Sequence, residues 1–472
     1  MSLASEAAYD RVLDELQNAG QEHAARWLEQ LDGRPRQKLL RQLADLDFDQ
    51  LREFRRLLKE PPAEVDFGQV EPAPIERLPQ NEAQAQAEDQ VLQMGTDALE
   101  ADRVAAVTAA GGQGTRLRYD HPKGMYPITP IRRASLFQSF AEQILAARRR
   151  YGCRLPWLIM TSPTNDAETR DFFARNRFFA LGEDSVHFFE QKVSPIVDSD
   201  GRLLRAEVNE LLVGPGGHGG TFDALASGGL VDMLEGAGLD LISYFQVDNP
   251  LVTVADPRFI GHHVRKGADF SCKVVAKRSP EEGLGIAVRR GGKPAVIEYV
   301  EVPDEVASAR TPDGELRYLY GSIAIHVIDV PFVRRVAQED ALPWHIARKQ
   351  YEIVDDEGQK TRSAPGGCCK FERFIFEALP MARECAFVEV RRESEFAPVK
   401  NAKGKDSPES ARRLMQQRWL DWLCAAGASF QPPSDLGSAV IEISPLYAAD
   451  AEELKERVEP GWQPSFPLLL EP

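Results

Sequence analysis

Four short, mostly apolar runs, Val104–Ala109, Trp157–Thr161, Leu241–Val247 and Phe270–Ala276, constrain the fold most. Helical stretches such as Ser135–Tyr151 and Gly219–Glu235 lie between them. A run of this length without polar alternation is a strand buried on both faces, and such strands belong to a sheet covered by helices. The pattern predicts an α/β protein whose central domain is a three-layer, Rossmann-like sheet. Ligands of such sheets gather beyond the carboxyl ends of the strands, so the loops there should carry the chemistry. Leu284–Val302 breaks the rhythm and reads as an extended pair turning at Gly291–Gly292.

The flanks read differently. Leu13, Leu16, Trp27, Leu28 and Leu31 recur at helical spacing, as do Leu39, Leu40, Leu43, Leu46, Leu51, Phe54, Leu57 and Leu58 beyond the break at Gly33–Pro35. They predict an N-terminal helical lobe covering the main domain. Pro61–Gln86, rich in Pro, Glu and Gln, reads as a surface linker. After about residue 405 a helix over Pro408–Ala425, a strand-like Ala439–Ile443 and a Pro-rich end predict a small separate C-terminal domain. A length of 472 residues accommodates three such parts: 1–100, 101–405 and 406–472.

Composition narrows the function. A formal net charge of −16 argues against nucleic-acid binding, which needs a basic face. No apolar run approaches the roughly 20 residues of a bilayer helix, and Met1 to Leu13 lacks the basic start and apolar centre of a signal peptide. A cytoplasmic protein without membrane partners is expected, as a monomer or weak homo-oligomer. Cys153, Cys272, Cys368, Cys369, Cys385 and Cys424 show no zinc-site spacing and read as buried free thiols.

The strongest motif is Ala109-Ala110-Gly111-Gly112-Gln113-Gly114-Thr115-Arg116-Leu117, followed by Pro122-Lys123-Gly124-Met125-Tyr126. Here a strand runs straight into glycines, whose bare backbone can approach phosphates and take positive φ. Arg116 and Lys123 add charge where a triphosphate would lie. A Walker A loop is excluded, because the position that must be its second glycine is Arg116. A dinucleotide fingerprint from Gly112 is incomplete, its third glycine being Leu117. Arg132–Arg133 could still mimic the ribose reader of a nicotinamide oxidoreductase, but that reading leaves Lys123 and Asp248 idle.

This stretch resembles the signature of the sugar-nucleotide pyrophosphorylases, and is most like their eukaryotic-type UDP-N-acetylglucosamine branch. The likeness continues in Met160-Thr161-Ser162, Phe188-Phe189-Glu190-Gln191, Val247-Asp248-Asn249, Val254–Gly261 and Pro398-Val399-Lys400-Asn401-Ala402. It implies a nucleotide-diphospho-sugar transferase fold of the GT-A-like kind. The implied activity joins the uridylyl group of UTP to a sugar 1-phosphate, favoured as N-acetylglucosamine 1-phosphate, with Mg²⁺ as cofactor. A non-catalytic sugar-nucleotide sensor would keep the same pocket.

Attack of an ionised sugar phosphate on UTP needs positioning and charge neutralisation more than acid–base help. Asp248, directly after an apolar strand, can hold the metal against the phosphates. The resemblance implies Arg116, Lys123 and Lys400 as the catalytic cations, Lys400 clamping the sugar phosphate. It implies nucleotide contacts from Ala109, Ala110, Gly111, Gly112, Gln191 and Gly217, with Gln191 reading the uracil edge. Gly285, Glu298, Tyr299, Ser322 and His218 should face the sugar. His218 and Ser322 stand where the N-acetylglucosamine enzymes of this family carry asparagine; the Gly-His-Gly element is instead like UDP-glucose pyrophosphorylases and broad-specificity relatives. Glucose 1-phosphate or another hexose 1-phosphate is therefore the runner-up.

Overall fold

The computed structural model describes residues 3–60, 65–430 and 440–472, with side chains from Tyr9 onward. Pro61–Glu64, the start of the expected linker, and Ala439, the start of the expected C-terminal strand, lie outside the described residues. The chain forms two compact units. One comprises Met1–Glu64, Lys192–Gly220 and Leu342–Ile375; the other comprises Val65–Gln191, Thr221–Ala341 and Phe376–Pro472.

The larger unit is built on an 11-stranded sheet. Its strands are β1 (Val70–Pro72), β2 (Ile75–Glu76), β3 (Val104–Ala109), β4 (Trp157–Thr161), β5 (Val186–Glu190) and β6 (Leu241–Gln246). They continue with β7 (Phe270–Ala276), β8 (Ile286–Arg290), β9 (Lys293–Ile297), β10 (Tyr320–Asp329) and β11 (Cys385–Glu389). The main path runs β2-β11-β7-β10-β6-β3-β4-β5, while β1 and β9 flank β8, which touches β10. From β6 through β3 and β4 to β5 every pairing is parallel, and β10 is antiparallel to both of its neighbours β6 and β7. The hairpin β8–β9 turns at Gly291 and Gly292, both in the left-handed region, as the sequence predicts.

Alternate residues of the strands pack on opposite layers. On one face Phe245 meets Phe140 of helix α2 (Leu136–Tyr151) with ring centroids 4.9 Å apart, and Ser271 is hydrogen-bonded to His263 of α3 (Pro257–Lys266) at 2.8 Å. On the other, Tyr244 and Phe270 share His326, and Phe270 also meets Phe332 of α4 (Val330–Glu339) at 6.0 Å. Helix α1 (Glu82–Glu100) lies against α3 so closely that a Cβ on Gly95 would fall 1.7 Å from the Pro257 carbonyl oxygen. The predicted three-layer architecture is present.

Several boundaries differ from the sequence reading. The two units divide the first two expected segments, 1–100 and 101–405, and take 406–472 whole into the larger unit. The N-terminal helices Leu3–Asn18, Glu22–Glu29, Gly33–Ala44 and Phe48–Lys59 do form, and they share a unit with the insertions Lys192–Gly220 and Leu342–Ile375. Leu16, Trp27, Leu39 and Phe54 share a core with Val197, Leu203 and Phe371, and the Phe54 and Phe371 rings stack at 3.7 Å. The supposed linker contributes strands β1 and β2 and opens helix α1. Gly219–Glu235 is two helices, Thr221–Ser227 and Leu230–Gly236, because Gly229 sits at φ 70° between them.

The C-terminal segment is not a separate domain. Helix α5 (Pro408–Ala425), capped by Ser407, buries Met415, Trp419 and Leu423 in the same core as Phe140 and Trp157. Arg132 bridges Glu142 of α2 and the wholly buried Glu442 of the strand Ile441–Ile443 at 2.8 and 2.7 Å, joining the two ends of this unit. Of the six cysteines, all free, four are buried as expected; Cys385 is half-buried and Cys424 is exposed.

Asp269, just before β7, is 2% exposed and receives Arg335 at 3.1 Å and Arg383 at 2.6 Å. Burial pushes its carboxyl up, but these guanidinium groups outweigh that and hold it down at about 2. Its folded pKa therefore lies below the unfolded value, so its stabilisation is complete above pH ~4 and is lost as pH falls through about 2. Because Arg383 is exposed, the contribution is on the order of 1–2 kcal/mol. Asp269→Asn should lower the thermal midpoint at pH 7, and the gap to the parent should close between pH 4 and pH 2; a gap independent of pH would refute this assignment.

Candidate functional site

Four parallel strands end side by side, and the predicted site residues follow them. Ala109 of β3 pairs with Gln246 of β6 and with Met160 of β4, and Thr161 of β4 pairs with Glu190 of β5. The next residues along the chain are therefore neighbours at one sheet edge: the glycine loop after β3, Ser162 after β4, Gln191 after β5, and Asp248 after β6. Val247 N–H donates to Ala109 O at 3.1 Å and Gln191 N–H to Thr161 O at 3.0 Å, so each exit is fixed by the sheet itself.

The loop is held open by side chains beneath it. Asn165, 1% exposed, donates through Nδ2 to Ala110 O at 2.9 Å and Gly112 O at 3.4 Å. Ser162 Oγ donates to Gly111 O at 2.9 Å, and Lys123 N–H donates to Gly112 O at 3.1 Å. With these carbonyls turned inward, the N–H groups of Gly111, Gly112 and Gln113 have no acceptor among the described residues. Consecutive unpaired amides of this kind favour an anion. The glycines are not there for positive φ, contrary to expectation: none of Gly111, Gly112 and Gly114 takes it. They are there for closeness. A Cβ on Gly111 would fall 2.1 Å from Gln191 Nε2, and one on Gly114 2.7 Å from Tyr119 O.

Lys123 Nζ lies 3.4 Å from Asp248 Oδ2, the two side chains being 18% and 13% exposed. This ammonium reaches from the loop after β3 to the carboxylate after β6. Val399 N–H donates to Asp248 O at 2.8 Å, which brings the segment carrying Lys400 to the same corner. Lys400 N–H and Asn401 N–H both donate to Asp406 O, closing a tight loop with the Lys400 side chain exposed. Arg116 is also exposed and has no acidic partner among the described residues. Below Asp248, burial pushes the Tyr244 phenol up, so it stays neutral and offers no base.

The predicted sugar residues of this unit form a second group. Ser322 N–H donates to Gly285 O at 2.9 Å, and a Cβ on Gly285 would lie 3.7 Å from Glu298 Oε1. The Tyr299 ring, 49% exposed, stands 3.5–3.6 Å from the position of a Cβ on Gly283. Pairing of β6 with β10 stops at Tyr244 and His326, and four residues further along each strand are Asp248 and Ser322. The same register thus points both groups toward one end of the sheet.

Gly217 and His218 belong to the other unit. Gly217 is at φ +87°, and a Cβ there would fall 2.3 Å from Arg373 O. Ile375 N–H donates to His218 Nδ1 at 3.1 Å. That fixes the neutral tautomer with its proton on Nε2, making this nitrogen a donor.

Against this geometry the comparisons are decisive. The family model described as UTP–glucose-1-phosphate uridylyltransferase matches residues 48–418. The chain belongs to this family. It is 35% identical to human UDP-N-acetylhexosamine pyrophosphorylase-like protein 1, covering 98% of this chain and 97% of that protein. It is 32% identical to the UDP-N-acetylglucosamine pyrophosphorylase of Saccharomyces cerevisiae, covering 83% of each. Among solved structures, the uridine diphosphate N-acetylglucosamine pyrophosphorylase of Trypanosoma brucei in complex with an inhibitor superposes with a TM-score of 0.81 at 27% identity, over 98% of both chains. Within the UTP–glucose-1-phosphate uridylyltransferase family, then, this is a nucleotidyltransferase of the UDP-sugar pyrophosphorylase type. No helix among the described residues is long and apolar enough to cross a membrane.

The sequence reading missed Asn165 as the residue that shapes the loop. Its signal was a buried-type strand followed by Ser162-Pro163-Thr164-Asn165 ahead of a helix, a pattern of ordinary capping chemistry. Gly112 offers a sharp test of the loop. No heavy atom lies within 4 Å of a Cβ built on it, and its φ is not positive, so Gly112→Ala should leave the thermal midpoint unchanged. If UTP phosphates approach this backbone, the same change should raise the UTP Kd by roughly 10-fold or more. Unaltered UTP affinity in calorimetry would place the phosphates elsewhere.

Proposed function

We propose that this protein transfers the uridylyl group of UTP to N-acetylglucosamine 1-phosphate and releases pyrophosphate. The observation that carries the reading is the Lys123–Asp248 pair beyond the ends of adjacent parallel strands, beside glycine-loop amides that have no acceptor among the described residues. A cation, a carboxylate and backbone donors at one edge are what phosphoryl chemistry needs, and nucleophile–base pairs are not.

In this reading a phosphate oxygen of the sugar 1-phosphate attacks the α-phosphorus of UTP. The new P–O bond forms as the bond to the β-phosphate oxygen breaks, and the electron pair leaves with pyrophosphate. The amides of Gly111 and Gly112, with Arg116 and Lys123, neutralise the triphosphate, and Ala109 and Ala110 fix the strand end from which the loop springs. Gln191, packed on Gly111, reads the uracil edge, and Lys400 holds the attacking phosphate. Glu298 accepts from sugar hydroxyls, with Gly285, Tyr299 and Ser322 around it.

Mg²⁺ fits the residues present. Among the described residues no cluster of three or more metal-ligating side chains exists. A single carboxylate, Asp248, together with substrate phosphates and water is the binding mode this ion prefers. When bound, it would neutralise charge on the phosphates. The chain is proposed to act in the cytoplasm as a monomer or weak homo-oligomer.

Names of full-length relatives favour N-acetylglucosamine, whereas His218 and Ser322 favour glucose or another hexose, because neither reproduces the paired donor and acceptor of an asparagine amide. A panel of sugar 1-phosphates scored for pyrophosphate release with each nucleoside triphosphate decides between them. We expect kcat/KM for N-acetylglucosamine 1-phosphate with UTP to exceed that for glucose 1-phosphate by roughly 10-fold or more. A clear preference for glucose 1-phosphate would transfer the enzyme to the second reading. Asp248→Ala should cut kcat by about 10²-fold or more, and a parental rate would show the metal to be held elsewhere.

A further inference from the structure

Beneath the corner that carries Asp248 and Lys400 lies a buried ionic cluster with no part in the steps above. Lys273 of β7, fully buried, places Nζ 2.6 Å from Asp256 Oδ2 and 3.0 Å from Glu395 Oε1. Glu395 Oε1 also accepts from the Thr253 hydroxyl at 3.2 Å, and the Glu395 carbonyl accepts from Asn249 Nδ2 at 2.7 Å. Asn249 Oδ1 returns the contact by accepting from Ala397 N–H at 3.0 Å. The loop after β6 and the loop before Lys400 are thus sewn together side chain by side chain.

Arg418 completes the stitch from α5, in the C-terminal segment. Its Nη1 donates to Leu251 O at 3.0 Å, in the first loop, and to Ser394 O at 3.3 Å, in the second. The guanidinium stands over the Trp422 ring at 5.3 Å, and its Nε is shut from solvent with no acceptor among the described residues. Buried ion clusters contribute little net stability compared with apolar packing of the same volume. Two cations and two anions spanning two site loops, Lys273 and Glu395 buried and Arg418 and Asp256 half-buried, are therefore better explained by the geometry they impose.

We propose that Arg418 is a positioning residue for uridylyl transfer, fixing the distance between the Asp248 carboxylate and the Lys400 ammonium by holding one carbonyl in each loop. Lys273, Asp256 and Glu395 form the anchor underneath. The inference rests on the roles given to Asp248 and Lys400 above, but Arg418 itself touches no substrate.

The experiment is a double-mutant cycle between Arg418→Met and Lys400→Ala, with rates normalised to folded enzyme. Misplacement of a catalytic pair by about 1 Å costs up to roughly 100-fold, so Arg418→Met should lower kcat by about 10- to 100-fold. KM for UTP should stay within about threefold, since the glycine loop hangs on other strands. Adding Arg418→Met to Lys400→Ala should then cost less than about threefold more, because the lysine to be positioned is gone. Arg418→Lys should recover most of the rate, since a single nitrogen makes both bonds. Were Arg418→Met unable to fold, Thr253→Val replaces it in the cycle, with a loss of about 3- to 10-fold and the same non-additivity. Losses that multiply in the cycle, or a lower thermal midpoint with undiminished kcat, overturn the proposal. Lys400→Ala at full rate would remove the reading of the site and this inference with it. A slow Lys400→Ala beside a full-rate Arg418→Met would remove this inference alone.

Discussion

The parallel register between β3 and β6 is the constraint on which the site depends. Gln246 opposite Ala109, continued by the Val247 N–H to Ala109 O bond, makes the glycine loop and Asp248 leave the sheet at the same level. A slip of one residue would turn every side chain of β6 to the other face and move Asp248 off the edge. Such a slip is resisted because Phe245 must stay against Phe140 and Tyr244 against His326. The core thus sets the chemistry by fixing register. Lys123 and Asp248 are 125 residues apart in sequence, and the packing of apolar strand faces makes them neighbours.

An acidic chain that handles polyphosphates must localise its positive potential. With 73 acidic and 57 basic residues, the long-range field repels a triphosphate, and ionic screening confines that repulsion to about 10 Å. The positive potential of the candidate site is short-ranged: three amides and an Arg116 side chain without partners among the described residues, and a lysine held against a single carboxylate. The Asp248 carboxylate, 3.4 Å from the Lys123 ammonium, offsets part of that positive charge.

Much of this was legible in the chain because it lies in local pattern. The strands Val104–Ala109, Trp157–Thr161 and Phe270–Ala276, helix Pro408–Ala425 and the Gly291–Gly292 turn have the bounds that burial and turn chemistry dictate. The glycine loop was legible as a turn at the end of β3, although its glycines answer the approach of Gln191 and Tyr119 and not positive φ. What was not legible is long-range. Nothing in Leu39 or Phe54 says that their partner is Phe371, because an amphipathic helix specifies an apolar face and not which surface fills it. Where the units divide follows from such pairings.

Buried charge explains why the C-terminal segment was misread. A Pro-rich end with one helix and one short strand has the look of an appendage, and its Glu442 and Arg418 look like ordinary surface residues. Both are instead drawn into the large unit, Glu442 by Arg132 and Arg418 by the carbonyls of Leu251 and Ser394. Charges in such places stabilise little over apolar substitutes, but a wrongly docked segment would leave them unpaired at a cost of several kcal/mol. The segment therefore has one tolerable seat, against helix α2 and the loops that follow β6. A device that enforces a unique docking is also one that transmits its geometry, and here the nearest thing to transmit it to is the pair of loops bearing Asp248 and Lys400.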